Sequence, residues 1–283
     1  MVPASPPSGG SAGGAGRGVV PVSLTVPQFS TDPSHMLTLA ARAPELGLKG
    51  LFAFDHLVPL GDPLRPVFEL TSTLGALGAT SAVTIGSLVL RVTLRPPAVT
   101  AAVAATLSAI APGRAVLGLG IGDSMSAEEA RRFGQTLPRL QDRLALLAET
   151  IAAIRSTAPQ VPLWVGGRHR QIRAMASSLA DGWNAWGADV DELADEAAEV
   201  RELAGDRAFT ISWGGTILLA EDDESLSKRV AERGGTEGVV AGTPGVIRRH
   251  LDQVAALADE IVVSVVPNRP ANWELFAKAV LGA

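Results

Sequence analysis

A closed barrel of eight parallel strands ringed by helices, the (β/α)8 or TIM-barrel architecture, is the α/β fold this sequence predicts. Three observations predict it. Short apolar runs recur at a fixed interval, helical patterns separate them, and no linker marks a second domain across 283 residues. One α/β barrel routinely occupies that length.

The first four apolar runs open at Val19, Leu51, Val83 and Ala115, with consecutive starts 32 residues apart. That is about the length of one βα unit. The runs are rich in Val, Ile, Leu and Phe and nearly free of charge, as strands buried on both faces must be. Helices are predicted between them at Ser34–Leu46 after Asp32-Pro33, at Val67–Ala79 after Pro66, and at Ala98–Ala111 after Pro96-Pro97. Proline suits a first helical turn because it lacks only an N–H that would be unpaired there. Beyond the fourth strand, Ser126 and Glu129 have the spacing of a capping box for a short helix. A longer helix follows Pro138, with Leu140, Leu144, Leu147, Ile151 and Ile154 on one face.

The second half alternates less evenly. Strands are predicted at Val161–Val165, Gly182–Ala185, Phe209–Leu219 and Ile261–Val266. Helices are predicted at Gln171–Ala180, at Val190–Ala204 capped by Asp189, at Pro244–Ala258 capped by Thr243, and around Trp273–Leu281. An open doubly wound sheet uses the same alternation, but eight units in βα order favour closure. Residues 1–18 are Gly, Ser, Pro and Ala with one arginine and read as a flexible tail; residues 19–283 read as a single barrel domain.

Composition narrows the function classes. The chain is 47% hydrophobic and 19% charged, enough apolar material for a large core. A net charge of −5 gives no electrostatic reason to expect nucleic acid. No run of eighteen apolar residues suggests a membrane span, and the tail lacks the apolar block of a signal peptide, so a cytoplasmic setting is expected. Without cysteine there are no disulfides, thiolate metal sites or thiol nucleophiles; without tyrosine no phenol serves as acid or base. No zinc or carboxylate-cluster spacing and no Gly-x-Ser-x-Gly elbow is visible, so no metal is expected.

In a barrel of this type, residues just after each strand line the active-site mouth. That rule selects Phe54-Asp55-His56 after the second strand, Gly120-Ile121-Gly122-Asp123 after the fourth, and Gly166-Gly167-Arg168-His169 after the fifth. It also selects Trp186 near the end of the sixth strand and Trp213 on the seventh. At Gly166–Arg170 two glycines permit close backbone approach, and the next helix offers N–H groups to an anion. Arg168, His169 and Arg170 crowd positive charge onto a helix start. A bound phosphate would relieve that conflict; a glycine turn with solvated arginines fits as well.

Asp55-His56 is the best catalytic pair, since histidine moves a proton near neutral pH and an adjacent carboxylate can orient it. A turn aspartate beside a packed ring is the competing reading. The run Gly118–Gly122 lies in mid-chain and is a poor dinucleotide fingerprint. Its small residues, Gly120 and Gly122 in particular, would leave room for a flat ring. Asp123 would then face that ring, or simply begin the next helix. His35 and His250 lie within helical segments with no metal-ligand partner.

With these positions named, the chain resembles the luciferase-like flavin and deazaflavin oxidoreductases from Val19 onward. The carrying segments are GLFAFDHL (Gly50–Leu57), IGSLVLRVTLRPPA (Ile85–Ala98), ATLSAIAPGRAVLGLGIGD (Ala105–Asp123), PLWVGG (Pro162–Gly167), LADGW (Leu179–Trp183) and AGTP (Ala241–Pro244). The resemblance implies a bacterial luciferase-like barrel, often dimeric. It implies a phosphate-binding loop at Gly166, Gly167 and Arg168, with His169 beside it. It implies a bulge at Leu88-Val89, often with a non-prolyl cis peptide, backing the reactive ring. Asp55 and His56 match the pair beside that ring in deazaflavin members, and Asp123 stands where the sugar-phosphate dehydrogenases carry glutamate.

The chain departs from those dehydrogenases in having no basic cluster after strands six to eight. The mouth there offers Trp186, Trp213 and Pro267, with Phe54 across from them, which implies a small apolar or aromatic substrate. The expected activity is therefore hydride transfer between coenzyme F420 and such a substrate, with His56 handling the proton. A monooxygenase using reduced FMN and oxygen is the alternative, and a non-catalytic barrel that binds flavin or another ligand is a third.

Overall fold

A computed structural model of the protein describes residues 20–59, 65–123 and 126–282. The tail expected over residues 1–18 lies outside the described residues.

The elements alternate strand and helix as expected. They run β1 (Val22–Thr25), α1 (Ser34–Arg42), β2 (Gly50–Ala53), α2 (Leu70–Thr80), β3 (Thr84–Arg91), α3 (Pro97–Ile110) and β4 (Ala115–Gly120). They continue with α4 (Ser126–Arg132), α5 (Leu140–Thr157), β5 (Leu163–Gly166), α6 (Arg170–Leu179), β6 (Gly182–Trp186), α7 (Val190–Ala204) and β7 (Thr210–Leu219). The chain ends in α8 (Asp223–Arg233), β8 (Val240–Gly242), α9 (Pro244–Ala255), β9 (Glu260–Val266) and α10 (Pro270–Phe276), the last running into a wider turn over Ala277–Leu281.

Strands β1 to β7 and β9 pair in parallel, and the β1–β9 contact closes them into an eight-stranded barrel. The short β8 adds to the far end of β7, through Ile217–Leu219, and is not a stave of the barrel. The expected (β/α)8 architecture is what the chain adopts. Side chains from alternate positions fill two spaces. Leu24, Leu51, Ile85, Leu117, Leu163 and Ile211 belong to the large core in which strands meet helices. Phe52, Leu88, Trp164 and Val262 form a separate cluster inside the barrel.

The interior cluster explains several glycines. Phe52 and Trp164 stack with ring centres 5.6 Å apart. On the neighbouring strand Gly86 lies opposite Phe52, and Gly182 lies opposite Trp164. A β-carbon at either position would run into the partner ring. The same device recurs one level up, where Gly214 is opposite Trp186. Large rings are therefore accommodated by bare backbone on the neighbouring strand.

Two elements escaped the periodicity reading, α8 and β8. Helix α8 has clear end signals: the Asp222 carboxylate accepts from the Ser225 N–H at 2.7 Å, and Gly234 closes the helix in the left-handed conformation at φ 85°. It buries no residue, so it carries no apolar stripe to detect. Caps also differ. Asp189 forms a full capping box with Glu192. Thr243 occupies the cap position of α9 without a side-chain bond, and Glu129 does not cap α4 at all. At the stability end of the barrel, the Asp181 carboxylate accepts from the Leu163 N–H at 2.8 Å and from Arg155 at 2.7 Å, consistent with a turn that ties β5 to α5.

Candidate functional site

The C-terminal ends of β2 to β6 open onto a cavity of about 670 Å3. Phe54, Asp55 and His56 line one side. Gly120 to Asp123 and Gly166 to His169 line another, and Asn184 and Trp186 close the third. The cavity lining includes every site residue named from the sequence except Trp213 and Pro267; Leu88 and Val89 were named from the family resemblance, the others by strand-end position.

Trp213 faces the other way. It is 1% exposed, donates its indole N–H to the Ala188 carbonyl at 2.8 Å, and packs edge-on against His250 of α9. Side chains alternate along a strand, and its neighbours Ser212 and Gly214 take the inward positions. The expected substrate role for Trp213 is corrected accordingly: it belongs to the strand–helix core. Trp186 stands at the cavity wall, edge-on to Phe54 at 5.4 Å, and Phe54 stacks on Phe29 at 6.2 Å. Gln28, fully buried, holds the Phe54 backbone in place: it donates to the Phe54 carbonyl at 2.8 Å and accepts the Phe54 N–H at 2.8 Å.

The peptide joining Leu88 and Val89 is cis, and the β3–β4 register slips between Ser87 and Leu90. The Val89 side chain fills the space next to Gly120 and Gly166. A β-carbon at Gly166 would come to 2.5 Å of Val89 Cγ1, and one at Gly120 would overlap the valine outright. The glycine at 120 thus admits Val89, which then forms part of the cavity floor. Gly122 and Gly167 have φ of 72° and 130°, where side-chain-bearing residues are strained.

Asp55 and His56 are adjacent in sequence but do not work on each other. The Asp55 carboxylate is buried and fully engaged. It accepts the Arg91 N–H at 2.8 Å and both Arg95 terminal nitrogens at 2.6 and 3.0 Å, while Arg95 reaches on to Glu69 at 2.8 Å. It fastens the end of β2 to the segment after β3. The carboxylate that faces the His56 ring comes from α4 instead: Glu129 Oε2 lies 3.3 Å from His56 Nδ1. Glu129 is 3% exposed and pairs bidentately with Arg91 at 2.8 and 3.0 Å. It also accepts the backbone N–H groups of Leu57 and Val58. Sequence reasoning read this glutamate as a cap because its Ser-x-x-Glu spacing is the usual one. Asp123 instead meets the first residue of α4: its Oδ1 accepts both the N–H and the hydroxyl of Ser126 at 2.9 Å. Of the two readings open for Asp123, the pre-helix turn is the arrangement present, at the exposed rim of the cavity.

Burial opposes ionisation of Glu129, but the hydrogen bonds from the His56 ring, the Leu57 N–H and Arg91, with the charge of Arg91, outweigh it and hold the carboxyl near 2. Glu69 is held near 2 in the same sense, against burial, by the Ser72 and Thr71 N–H groups and Arg95. A carboxyl depressed in the folded state leaves the unfolded chain to bind protons first as pH falls. The stabilisation from Glu129, about 3 kcal/mol, is therefore complete above its ordinary value of 4.5 and disappears as pH falls through about 2. Urea unfolding measured across this window should show stability rising with pH, with a visibly flatter slope in Glu129→Gln. An equal slope in both proteins would remove the assignment.

The loop after β5 differs from the expectation in its charge balance. Arg168 is paired with Glu192 at 2.9 Å and Glu196 at 2.9 Å, both on α7, and these bonds raise its pKa. Arg173 pairs with Glu196 and Glu199 and donates to the Arg168 carbonyl. His169 caps α6 by accepting the Gln171 N–H at 3.3 Å. The crowding of cations at this helix start is thus relieved by carboxylates of α7, so it is no argument for a phosphate. A different cation was missed. Arg143 of α5 lines the cavity, donates to the Ile121 and Gly122 carbonyls at 3.3 and 2.5 Å, and has a buried Nε without a hydrogen-bond partner. Its signal was available: it lies in phase with Leu140, Leu144 and Leu147, a cation on the apolar face of a helix.

The model of the luciferase-like monooxygenase family matches residues 11–261, and the chain belongs to that family. Among curated proteins it is similar to the F420-dependent glucose-6-phosphate dehydrogenase of Nakamurella multipartita, 36% identical over 138 residues. That match covers 48% of this chain and 38% of the dehydrogenase; the chain spans well under half the length of the dehydrogenases it matches. Among solved structures, an F420-dependent secondary alcohol dehydrogenase in complex with an F420-acetone adduct superposes with a TM-score of 0.78 at 15% identity, covering 93% of this chain and 98% of that one. EDTA monooxygenase (EmoA) from Chelativorans sp. BNC1 superposes with a TM-score of 0.77 at 12% identity, covering 93% of each chain. These two likenesses concern the fold.

Proposed function

We propose that the protein transfers a hydride between coenzyme F420 and a small apolar organic substrate, with His56 handling the proton. The observation that carries this reading is the His56 imidazole held at the wall of an apolar cavity, with Phe54, Trp186, Val89 and glycines among its lining. Kinship with the F420-dependent glucose-6-phosphate dehydrogenases supports the coenzyme. Among the described residues, no lysine or arginine from β6 to β9 lines the cavity, which speaks against their sugar phosphate as substrate.

The residues fit a flat coenzyme bearing an anion. The orphaned Arg143 Nε is a buried donor in need of an acceptor, and the Gly166-Gly167 backbone lines the cavity just before α6. These groups, with Arg168 and His169 at the rim, would hold the anionic portion; Leu88, Val89, Gly120 and Gly122 would back the ring. When bound, the deazaflavin supplies a carbon that accepts or releases a hydride and, unlike a flavin, reacts poorly with oxygen. Phe54 and Trp186 would clasp the substrate and keep water from it. His56 would accept the hydroxyl proton of an alcohol, or return it to a carbonyl in reverse. The cytoplasmic setting expected from the sequence and the homodimer implied by the family resemblance belong to the same reading. Among the described residues no helix is long and apolar enough to cross a membrane.

The test is titration of the protein with F420 and, separately, FMN, followed by quenching of its five tryptophans, of which Trp186 reports from the cavity wall. Saturable binding of F420 with weak FMN binding is expected. The reverse preference would move the assignment to a reduced-FMN monooxygenase, and binding of neither below the high-micromolar range would sink the coenzyme assignment.

A further inference from the structure

A carboxylate as buried as Glu129 is costly unless every lone pair is used. Here the two oxygens are used differently. Oε1 accepts three N–H groups: those of Leu57 and Val58 on the loop after β2, and Arg91 Nη2. Oε2 accepts Arg91 Nη1 and faces His56 Nδ1. Backbone and guanidinium together leave Oε2 one direction, toward the ring. Asp55, the other carboxylate close by, has both oxygens committed to Arg95 and the Arg91 N–H. Phe29 and Phe54 stand with ring centres 6.2 Å from the imidazole and offer its nitrogens nothing comparable.

The geometry points to Glu129, clamped by Arg91, as the positioning residue that fixes the tautomer of His56. This rests on His56 as the proton-handling group. An ionised carboxylate only accepts hydrogen bonds, so the His56 nitrogen facing it must carry hydrogen. The proton of the neutral ring therefore sits on Nδ1, and Nε2 keeps the lone pair that takes a substrate proton. Held near 2, the Glu129 carboxyl is ionised at neutral and alkaline pH. A glutamate that only tied the loop to α4 would need its bonds to Leu57 and Val58 but would have no bearing on the ring.

Glu129→Gln separates the two roles. Three donors at Oε1 against one from Arg91 at Oε2 favour the amide oxygen at Oε1, which puts the NH2 where Oε2 stood; it gives up the bond to Arg91 Nη1 and donates toward His56 Nδ1. The ring then moves its hydrogen to Nε2 and has no lone pair left for substrate. The measurement is the 15N spectrum of the histidine rings in the coenzyme-free protein at alkaline pH. His56 is identified among the four histidines by the signals lost in His56→Ala. Hydrogen on Nδ1 is expected in the wild type and on Nε2 in Glu129→Gln. With it, kcat should fall by about 10²–10⁴-fold, the range that general acid–base catalysis supplies, at unchanged coenzyme affinity. Hydrogen on Nε2 in the wild type, or the same tautomer in both proteins, would overturn the inference. The wild-type spectrum decides even if the variant folds poorly. A switched tautomer with unchanged turnover leaves Glu129 as the orienting group and removes the proton-transfer role of His56, so the first failure is read in the coenzyme-free protein and the second in turnover.

Discussion

Replacing His56 with alanine is expected to lower kcat by about 10²–10⁴-fold while leaving F420 affinity unchanged. The ring lies on the β2 side of the cavity, 22% exposed, whereas the groups proposed to hold the coenzyme come from β3, β4, β5 and α5. Removing it does not orphan Glu129, which keeps Arg91 and the Leu57 and Val58 N–H groups, so the fold should survive. Steady-state kinetics beside a coenzyme titration decides the matter. Turnover lost with binding retained supports acid–base catalysis. Unchanged turnover removes the role, and no turnover in the wild type over a panel of alcohols, carbonyls and enones, with binding intact, would favour a ligand-binding barrel. Loss of binding would make His56 a coenzyme contact.

The second large effect is on stability. Arg91→Met should cost about 3–5 kcal/mol, because it strips a buried carboxylate of its ion pair and leaves the charge in place. Arg91 and Glu129 are 5% and 3% exposed, so solvent cannot take over the lost bonds. Urea unfolding should show a lower midpoint at an unchanged slope. The double variant Arg91→Met/Glu129→Leu should recover part of the loss, since an apolar pair of similar volume is tolerated where a lone charge is not. Arg168→Met is the contrast. Its guanidinium is 31% exposed and its partner Glu192 46%, so the expected cost is about 1 kcal/mol or less. Equal losses at the two positions would contradict the role given to burial.

Much of the site was legible because a barrel sorts its residues by where strands end. His56, Gly166, Gly167 and Trp186 each close an apolar run, and the rule that such positions face the mouth needs no contact to be known. The Leu88–Val89 bond, implied only by family resemblance, is cis in the structure. Parity within a strand also carried a signal. Trp213 is in phase with Ile211, Ile217 and Leu219, whereas Thr210, Ser212, Gly214 and Thr216 take the alternate positions, so period two already set Trp213 on the large apolar face that meets the helices.

The sequence by itself determined the βα order, the parallel barrel, and the end of the barrel at which the cavity opens. These follow from periodicity, proline and glycine punctuation and strand-end position, all of which act over a few residues. Tertiary structure alone decided which charges meet. Glu129 reaches His56 across 73 residues of chain, Arg168 meets the glutamates of α7, and Arg143 comes from α5 to the cavity wall. Such pairings arise when closure of the barrel brings distant loops to one mouth. A buried charge then accepts whichever donors lie within hydrogen-bond reach, whatever its neighbours in sequence.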